Sequence, residues 1–189
     1  ETVNLPDSLL TIGRSVFNDC TKLKELTIPI TVNAVGDHKH PLFAGCTNLQ
    51  KVTFTKGTDG YGFNYGIDDD DSLTNYCGFT PWYLSNGSLT EAVFEEGITH
   101  IGRYTFSLCS SLSSVTFPST LKDIDAFAFN MCFSLKSIAL PVGIECIGDS
   151  SFFECRSIES LTVPASVKYI GQCAFYCCSS LETIILPDN

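Results

Sequence analysis

Apolar side chains recur along this chain with a fixed period of 23 residues. An isoleucine opens each repeat, and a phenylalanine, a cysteine and a leucine or isoleucine follow at constant spacing, as in Ile101, Phe106, Cys109 and Leu112. The pattern recurs without a break from Ile124, Ile147 and Ile170, and it is also present from Ile12 to Leu23. A period of this length is typical of a solenoid, in which each repeat is one coil stacked on its neighbours.

A short run of β-branched and apolar residues follows the leucine of each repeat, and most of these runs end at proline. Examples are Val115-Thr116-Phe117-Pro118 and Leu161-Thr162-Val163-Pro164. Alternation with a period of two and a closing proline predicts one three-residue strand per coil, about eight in all. The predicted strands lie at 3–5, 26–28, 52–54, after Leu89, and at 115–117, 138–140, 161–163 and 184–186.

Two coils depart from the regular period. Val35-Gly36 begins the second coil one period after Ile12, and its phenylalanine comes late, at Phe43. The step from Leu49 to Leu89 is 40 residues against 23 elsewhere, so this coil holds 17 additional residues, which predicts a projecting loop at about 55–88. We therefore expect residues 1–189 to form a single solenoid domain. Because the first and last seven residues have the same phase of the repeat, we also expect it to be a piece of a longer array.

Composition supports one continuous core and argues against several classes of partner. Apolar residues make up 44% of the chain, and the net charge is −10. No apolar run approaches the roughly 18 residues that a membrane span needs. A strongly acidic chain disfavours nucleic acid and anionic membrane surfaces, which require clustered lysine and arginine. We expect no nucleic-acid partner and no direct insertion of this segment into a membrane.

Six of the ten cysteines occupy the same position of the repeat. Because phenylalanine and leucine flank that position, we expect a column of buried free thiols. A series of disulfides between coils, or a string of metal ions, is the alternative, since adjacent strands lie only about 5 Å apart. Asp37, His38 and His40 could chelate a metal, but no zinc-binding spacing is present and we expect no cofactor. The cysteines of the column are Cys20, Cys46, Cys109, Cys132, Cys155 and Cys178.

The unit I-G-x-x-x-F-x-x-C-x-x-L-x-x-[VIL]-x-[IFL]-P resembles the BspA-type leucine-rich repeat. The resemblance covers the chain except the insertion, and Asp125 departs from it where glycine is usual. It implies an α/β repeat fold, a right-handed solenoid with a parallel sheet on one face. It also implies short helical turns on the opposite face, here at residues 14–20 and 172–178. Such proteins are typically surface or secreted molecules implicated in adhesion to host matrix proteins and other cells.

The outward side of the predicted sheet is the default binding surface of a repeat protein. Two columns of side chains point outward there, and a plain solvated sheet would show the same preference for β-branched residues. The first column is Glu25, Lys51, Glu91, Ser114, Ser137, Ser160 and Thr183; the second is Thr27, Thr53, Val93, Thr116, Ala139, Thr162 and Ile185.

The insertion is the second candidate site. Its aromatic side chains on a glycine-rich loop are suited to stacking on a sugar or anchoring a partner, or they fold back over the widened core. Its four consecutive carboxylates lack the spacing of a calcium loop and indicate a solvated acidic tip. We expect Trp82 to cover the apolar edge between the enlarged coil and the next. The candidate residues are Tyr61, Phe63, Tyr65, Asp68, Asp69, Asp70, Asp71, Tyr76 and Trp82.

The sequence thus predicts a non-enzymatic interaction or adhesion module of a cell-surface or secreted protein, with an unidentified protein or glycan ligand. The alternative is a structural spacer that presents another domain. No nucleophile elbow, zinc-protease motif or phosphate-binding loop is present in the sequence.

Overall fold

The computed structural model describes residues 1–34, 42–56, 82 and 87–187. Within these ranges the chain forms parallel strands joined by turns, one coil per repeat. The strands that the β-branched runs predict are β1 (Thr2–Asn4), β3 (Glu25–Pro29), β5 (Lys51–Thr55), β6 (Glu91–Phe94), β8 (Ser114–Thr116), β11 (Ser160–Thr162) and β13 (Thr183–Ile185).

These strands form the main sheet face in two blocks. The first block is five-stranded with the order β1-β3-β5-β6-β8, and the second pairs β11 with β13. Every pairing is parallel, and residues in equivalent positions of successive repeats face each other, as Leu26 faces Val52 and Val52 faces Ala92. The insertion between β5 and β6 therefore leaves the strand ladder unbroken.

A second row of two-residue strands was not predicted. It consists of β2 (Thr11–Ile12), β4 (Asn33–Ala34), β7 (His100–Ile101), β9 (Asp123–Ile124), β10 (Cys146–Ile147) and β12 (Tyr169–Ile170). The last four form a sheet of their own, in the order β12-β10-β9-β7. The isoleucine that opens each repeat is therefore a strand residue, and its side chain is buried in the three coils that have neighbours on both sides.

The prediction of short helical turns at 14–20 and 172–178 is wrong: the described residues contain no helix. Ser15 and Asp19 have φ of 56° and 57°, and Cys173 and Cys177 have φ of 57° and 58°. A right-handed helix requires negative φ throughout, so two left-handed residues per turn segment prevent it.

Hydrogen bonding between coils explains this backbone. The Phe106 N–H donates to the Ala128 carbonyl of the next coil at 2.7 Å, and the Leu108 N–H donates to the Asn130 carbonyl at 2.7 Å. The Ser107 N–H between them donates back to Tyr104 within its own coil. Donors thus alternate between the two coils, whereas a helix would keep all of them within one segment.

Two local expectations also differ from the structure. Residues 138–140 do not form a strand, although Ile138 is buried between the exposed Ser137 and Ala139, so the alternation is present without the ladder bonds. The register of β2 and β4 pairs Ile12 with Ala34, one residue earlier than the predicted partner Val35. Val35 itself lies outside the described residues.

A continuous stack of aromatic rings runs through the core, one ring per coil. Neighbouring ring centroids are 4.9–5.8 Å apart and the rings are nearly parallel. Offset stacking of this kind adds roughly 0.5–1.5 kcal/mol per pair to the burial of each ring. The stack consists of Phe17, Phe43, Trp82, Phe106, Phe129, Phe152 and Phe175.

Within the described ranges, no helix is long and apolar enough to cross a lipid bilayer.

Candidate functional site: the outward side of the sheet

The strand register assembles the candidate columns. Glu25, Lys51, Glu91 and Ser114 face one another across β3, β5, β6 and β8. The second column follows in the same way, with Thr27, Thr53, Val93 and Thr116 in register. In the C-terminal block Ser160 pairs with Thr183, and Thr162 pairs with Ile185. The two columns are therefore surfaces and not only a sequence pattern.

Strand alternation fixes which side chains face outward. The apolar residues between the columns, such as Leu26, Val52 and Ala92, are at most 1% exposed. No residue of either column is buried. Since successive strand residues point to opposite faces, burial of one set places the other in solvent. Ser137 and Ala139 are exposed as well, in a segment that has no strand pairing.

Charge is confined to the N-terminal half of this face. The Lys51 ammonium lies 2.8 Å from a carboxylate oxygen of Glu91, and this ion pair raises the pKa of Lys51. The Glu25 carboxylate accepts a long hydrogen bond of 3.4 Å from the Thr2 hydroxyl. Past Glu91 the columns hold only Ser, Thr, Val, Ala and Ile.

Two hydrogen bonds hold the loops beside the face. The Thr55 hydroxyl donates to Asp7 at 2.7 Å. The Ser119 amide and hydroxyl donate to the Glu96 carboxylate at 2.9 and 2.8 Å, which lowers the pKa of Glu96. These contacts join neighbouring coils and fix the rim of the surface.

The insertion site is only partly described. Tyr61, Phe63, Tyr65, Asp68 to Asp71 and Tyr76 lie outside the described residues. Trp82 is fully buried, and its ring stacks between Phe43 and Phe106 at 4.9 and 5.8 Å. Its Nε1–H donates to the Thr105 carbonyl at 2.8 Å. Trp82 therefore packs in the core, as predicted, and does not offer its ring to a ligand.

Sequence reasoning missed that Trp82 takes the phenylalanine position of the enlarged coil. The signal was present but shifted: Trp82 precedes Leu89 by seven residues, whereas Phe106 precedes Leu112 by six. An aromatic residue near that distance before a repeat leucine is the feature that would have identified it.

The repeat cysteines serve the core. All nine cysteines that the structure describes are free thiols, which confirms that prediction for them. The Cys132 thiol donates to the Phe106 carbonyl at 3.2 Å, and the Cys155 thiol donates to the Phe129 carbonyl at 3.2 Å. Burial raises the pKa of Cys46 and of Cys178 to about 11, so these thiols stay protonated at neutral pH.

Metal ligands do not converge in the described ranges, where no group of three His, Cys, Asp or Glu side chains could hold an ion. His100 lies 3.9 Å from Asp125, a pair whose side chains are about one-third exposed. Asp37, His38 and His40 lie outside the described residues.

Three solved structures share the fold. A leucine-rich repeat protein from Bacteroides ovatus is 23% identical with a TM-score of 0.52, and the match covers 98% of this chain and 45% of that one. The pneumococcal vaccine antigen PcpA is 21% identical with a TM-score of 0.48, covering 100% and 57%. A leucine-rich cell surface protein from Faecalibacterium prausnitzii is 19% identical with a TM-score of 0.46, covering 98% and 63%.

This chain thus spans between 45% and 63% of the length of those three proteins. No curated protein matches it in sequence. A family model for the BspA-type leucine-rich repeat region matches six copies over residues 1–64 and 82–189. The chain therefore belongs to the BspA-type leucine-rich repeat family.

Proposed function

We propose that this chain is a non-enzymatic interaction module of a cell-surface or secreted protein, and that it binds a protein or glycan through the outward side of the sheet. One observation carries the proposal. The strands hold two columns of unburied side chains in register, on a frame whose core positions are filled. Leucine-rich repeat proteins are in general protein-interaction modules, and the surface location follows from what is typical of the BspA-type family.

The shape of the surface favours recognition over catalysis. Catalysis requires several groups that converge in a pocket. The columns instead spread side chains over parallel strands spaced about 4.8 Å apart. Such a surface makes many weak contacts with a large partner, as repeat proteins do.

A binding assay with a matched pair of variants tests the proposal. Immobilised host matrix proteins and cell-surface glycans form the panel. The double variant Thr116→Arg/Thr162→Arg places bulk on exposed positions of the second column, and we expect it to weaken binding about tenfold or more. The control is Val142→Arg, which changes a residue that is 87% exposed and lies outside both rows of strands.

Absence of binding across the panel by folded protein would contradict the proposal, as would equal losses in both variants. The spacer hypothesis would then be preferred. It is favoured by one observation: the columns contain no aromatic side chain, and aromatic residues are the usual anchors of tight interfaces.

A further inference from the structure

We infer that the partner presents a basic polypeptide segment to the N-terminal half of the sheet face. This inference deepens the proposed function and rests on it. The relevant surface is the charged row, which we define as Glu25, Lys51 and Glu91 on β3, β5 and β6.

The charged row holds an excess of negative charge. Lys51 is already paired with Glu91 at 2.8 Å, and the side chains of the pair remain 36% and 41% exposed. Glu25 is exposed, and among the described residues no cation lies within ion-pair distance of its carboxylate. A lysine or arginine from a partner would supply the missing positive charge.

The surroundings of the row have the same sign on balance. Glu95 follows β6 directly and is exposed, and Asp7 lies beyond β1 with one oxygen bound to Thr55. Lys24 and Lys56 flank the strands, so the surface carries both signs with carboxylates in excess. The chain as a whole has a net charge of −10, which adds a long-range attraction for cationic partners.

The polarity of the face narrows the partner further. Val93 is the one apolar residue among the column positions of β3, β5 and β6. Burial of apolar surface can therefore contribute little to affinity here. Electrostatic complementarity and hydrogen bonds must supply both the association rate and the orientation, and these interactions weaken with salt.

The test uses a fluorescent oligolysine peptide as the probe and anisotropy as the readout. The variant Glu25→Gln/Glu91→Gln removes both carboxylates of the row without changing side-chain size. The matched control is Glu159→Gln/Glu182→Gln, which makes the same change in net charge at exposed positions of the C-terminal half. We expect the first variant to bind about tenfold more weakly than the wild type, and the control to bind within about twofold.

Several results would overturn the inference. Equal losses in the two variants would show attraction to net charge alone. Binding of an oligoglutamate peptide or a sulfated glycan that depends on Lys51 would show an anionic partner, and calcium that displaces the probe would show a cation site. Unchanged Trp82 emission verifies that each variant is folded.

This test separates the inference from the proposed function. If the panel shows binding that Thr116→Arg/Thr162→Arg abolishes, but oligolysine does not bind, the function stands and the basic partner is wrong. If oligolysine binding depends on the charged row while no panel member binds, the charge preference stands and the adhesion function fails.

Discussion

Single residues in this solenoid act mainly on the coil before or after their own. Each of Cys46, Cys132, Cys155 and Cys178 donates its thiol hydrogen to the carbonyl of the phenylalanine in the preceding coil, at 3.0–3.3 Å. That carbonyl already accepts an N–H from its own coil, as the Phe106 carbonyl does from Cys109 at 3.1 Å. A repeated cysteine is thus a small apolar residue that also satisfies a second lone pair.

Replacing Cys132 with serine should lower the free energy of unfolding by roughly 1–3 kcal/mol. The hydroxyl is more costly to bury than a thiol, and its shorter bond to Cβ lengthens the contact with the Phe106 carbonyl. Urea unfolding measures the change. The control is Cys173→Ser at an exposed position, and a difference of less than about 0.5 kcal/mol between the two variants would contradict the prediction.

Stability should fall as the pH rises from about 9 to about 11. The folded state holds the Cys46 pKa at about 11 because burial penalises the thiolate, whereas the unexposed reference value is 9.0. Above the lower value the unfolded chain loses the proton and the folded chain keeps it, so unfolding becomes more favourable. Unfolding free energies measured across this range should decline less steeply in Cys46→Ala, and identical slopes would refute the assignment to Cys46.

At the scale of the element, close approach of successive coils decides which residues fit the turns. A Cβ added at Gly148 would meet three backbone atoms of the preceding coil, those of Ile124, Asp125 and Ala126, at 2.6–2.9 Å. Gly13 occupies the same position of the first coil, where the nearest atom is a Val16 methyl at 3.9 Å. The glycine of the repeat is thus required by the neighbouring coil and not by the turn itself.

Gly148→Ala should therefore destabilise the protein by about 1–3 kcal/mol, since backbone cannot yield as a side chain does. Gly13→Ala is the control, and we expect a change within about 0.5 kcal/mol. Thermal and urea unfolding compare the two variants. Equal effects in both would mean that the cost arises from local conformation instead of contact between coils.

The enlarged coil is tied to the stack by a single described side chain, Trp82. It is the only tryptophan of the chain, and it is fully buried between Phe43 and Phe106. Native fluorescence should therefore be blue-shifted and should move to the red on unfolding. A native spectrum like that of free tryptophan would contradict this position of the ring.

At the scale of the whole molecule, contacts link nearest neighbours, because each coil touches only the coil before it and the coil after it. Deleting Lys56 to Gly87 should accordingly leave the coils from Ile124 onward folded. Loss of Trp82 uncovers Phe43 and Phe106, so the damage should be centred there. Amide hydrogen exchange should accelerate around residues 101–112 and remain slow around residues 147–158, and uniform acceleration would indicate a molecule that unfolds as one unit.

The sequence by itself determined the coil, its core and its outward columns. Positions repeated every 23 residues stack on one another whatever the details of the turn, so Leu26 and Val52 had to be buried once Glu25 and Lys51 faced solvent. The family could be recognised for the same reason, since it is defined by that spacing.

Only the tertiary structure decided the conformation of the turns and the place of Trp82. The turn segments suggest short helices when taken alone, but the Phe106 and Leu108 amides bond to carbonyls about 22 residues away, in the next coil. Those partners are supplied by stacking and are invisible to local pattern. Trp82 likewise completes a stack of rings whose members are adjacent in space, whereas its distance along the chain from Leu89 differs by one residue from the repeat.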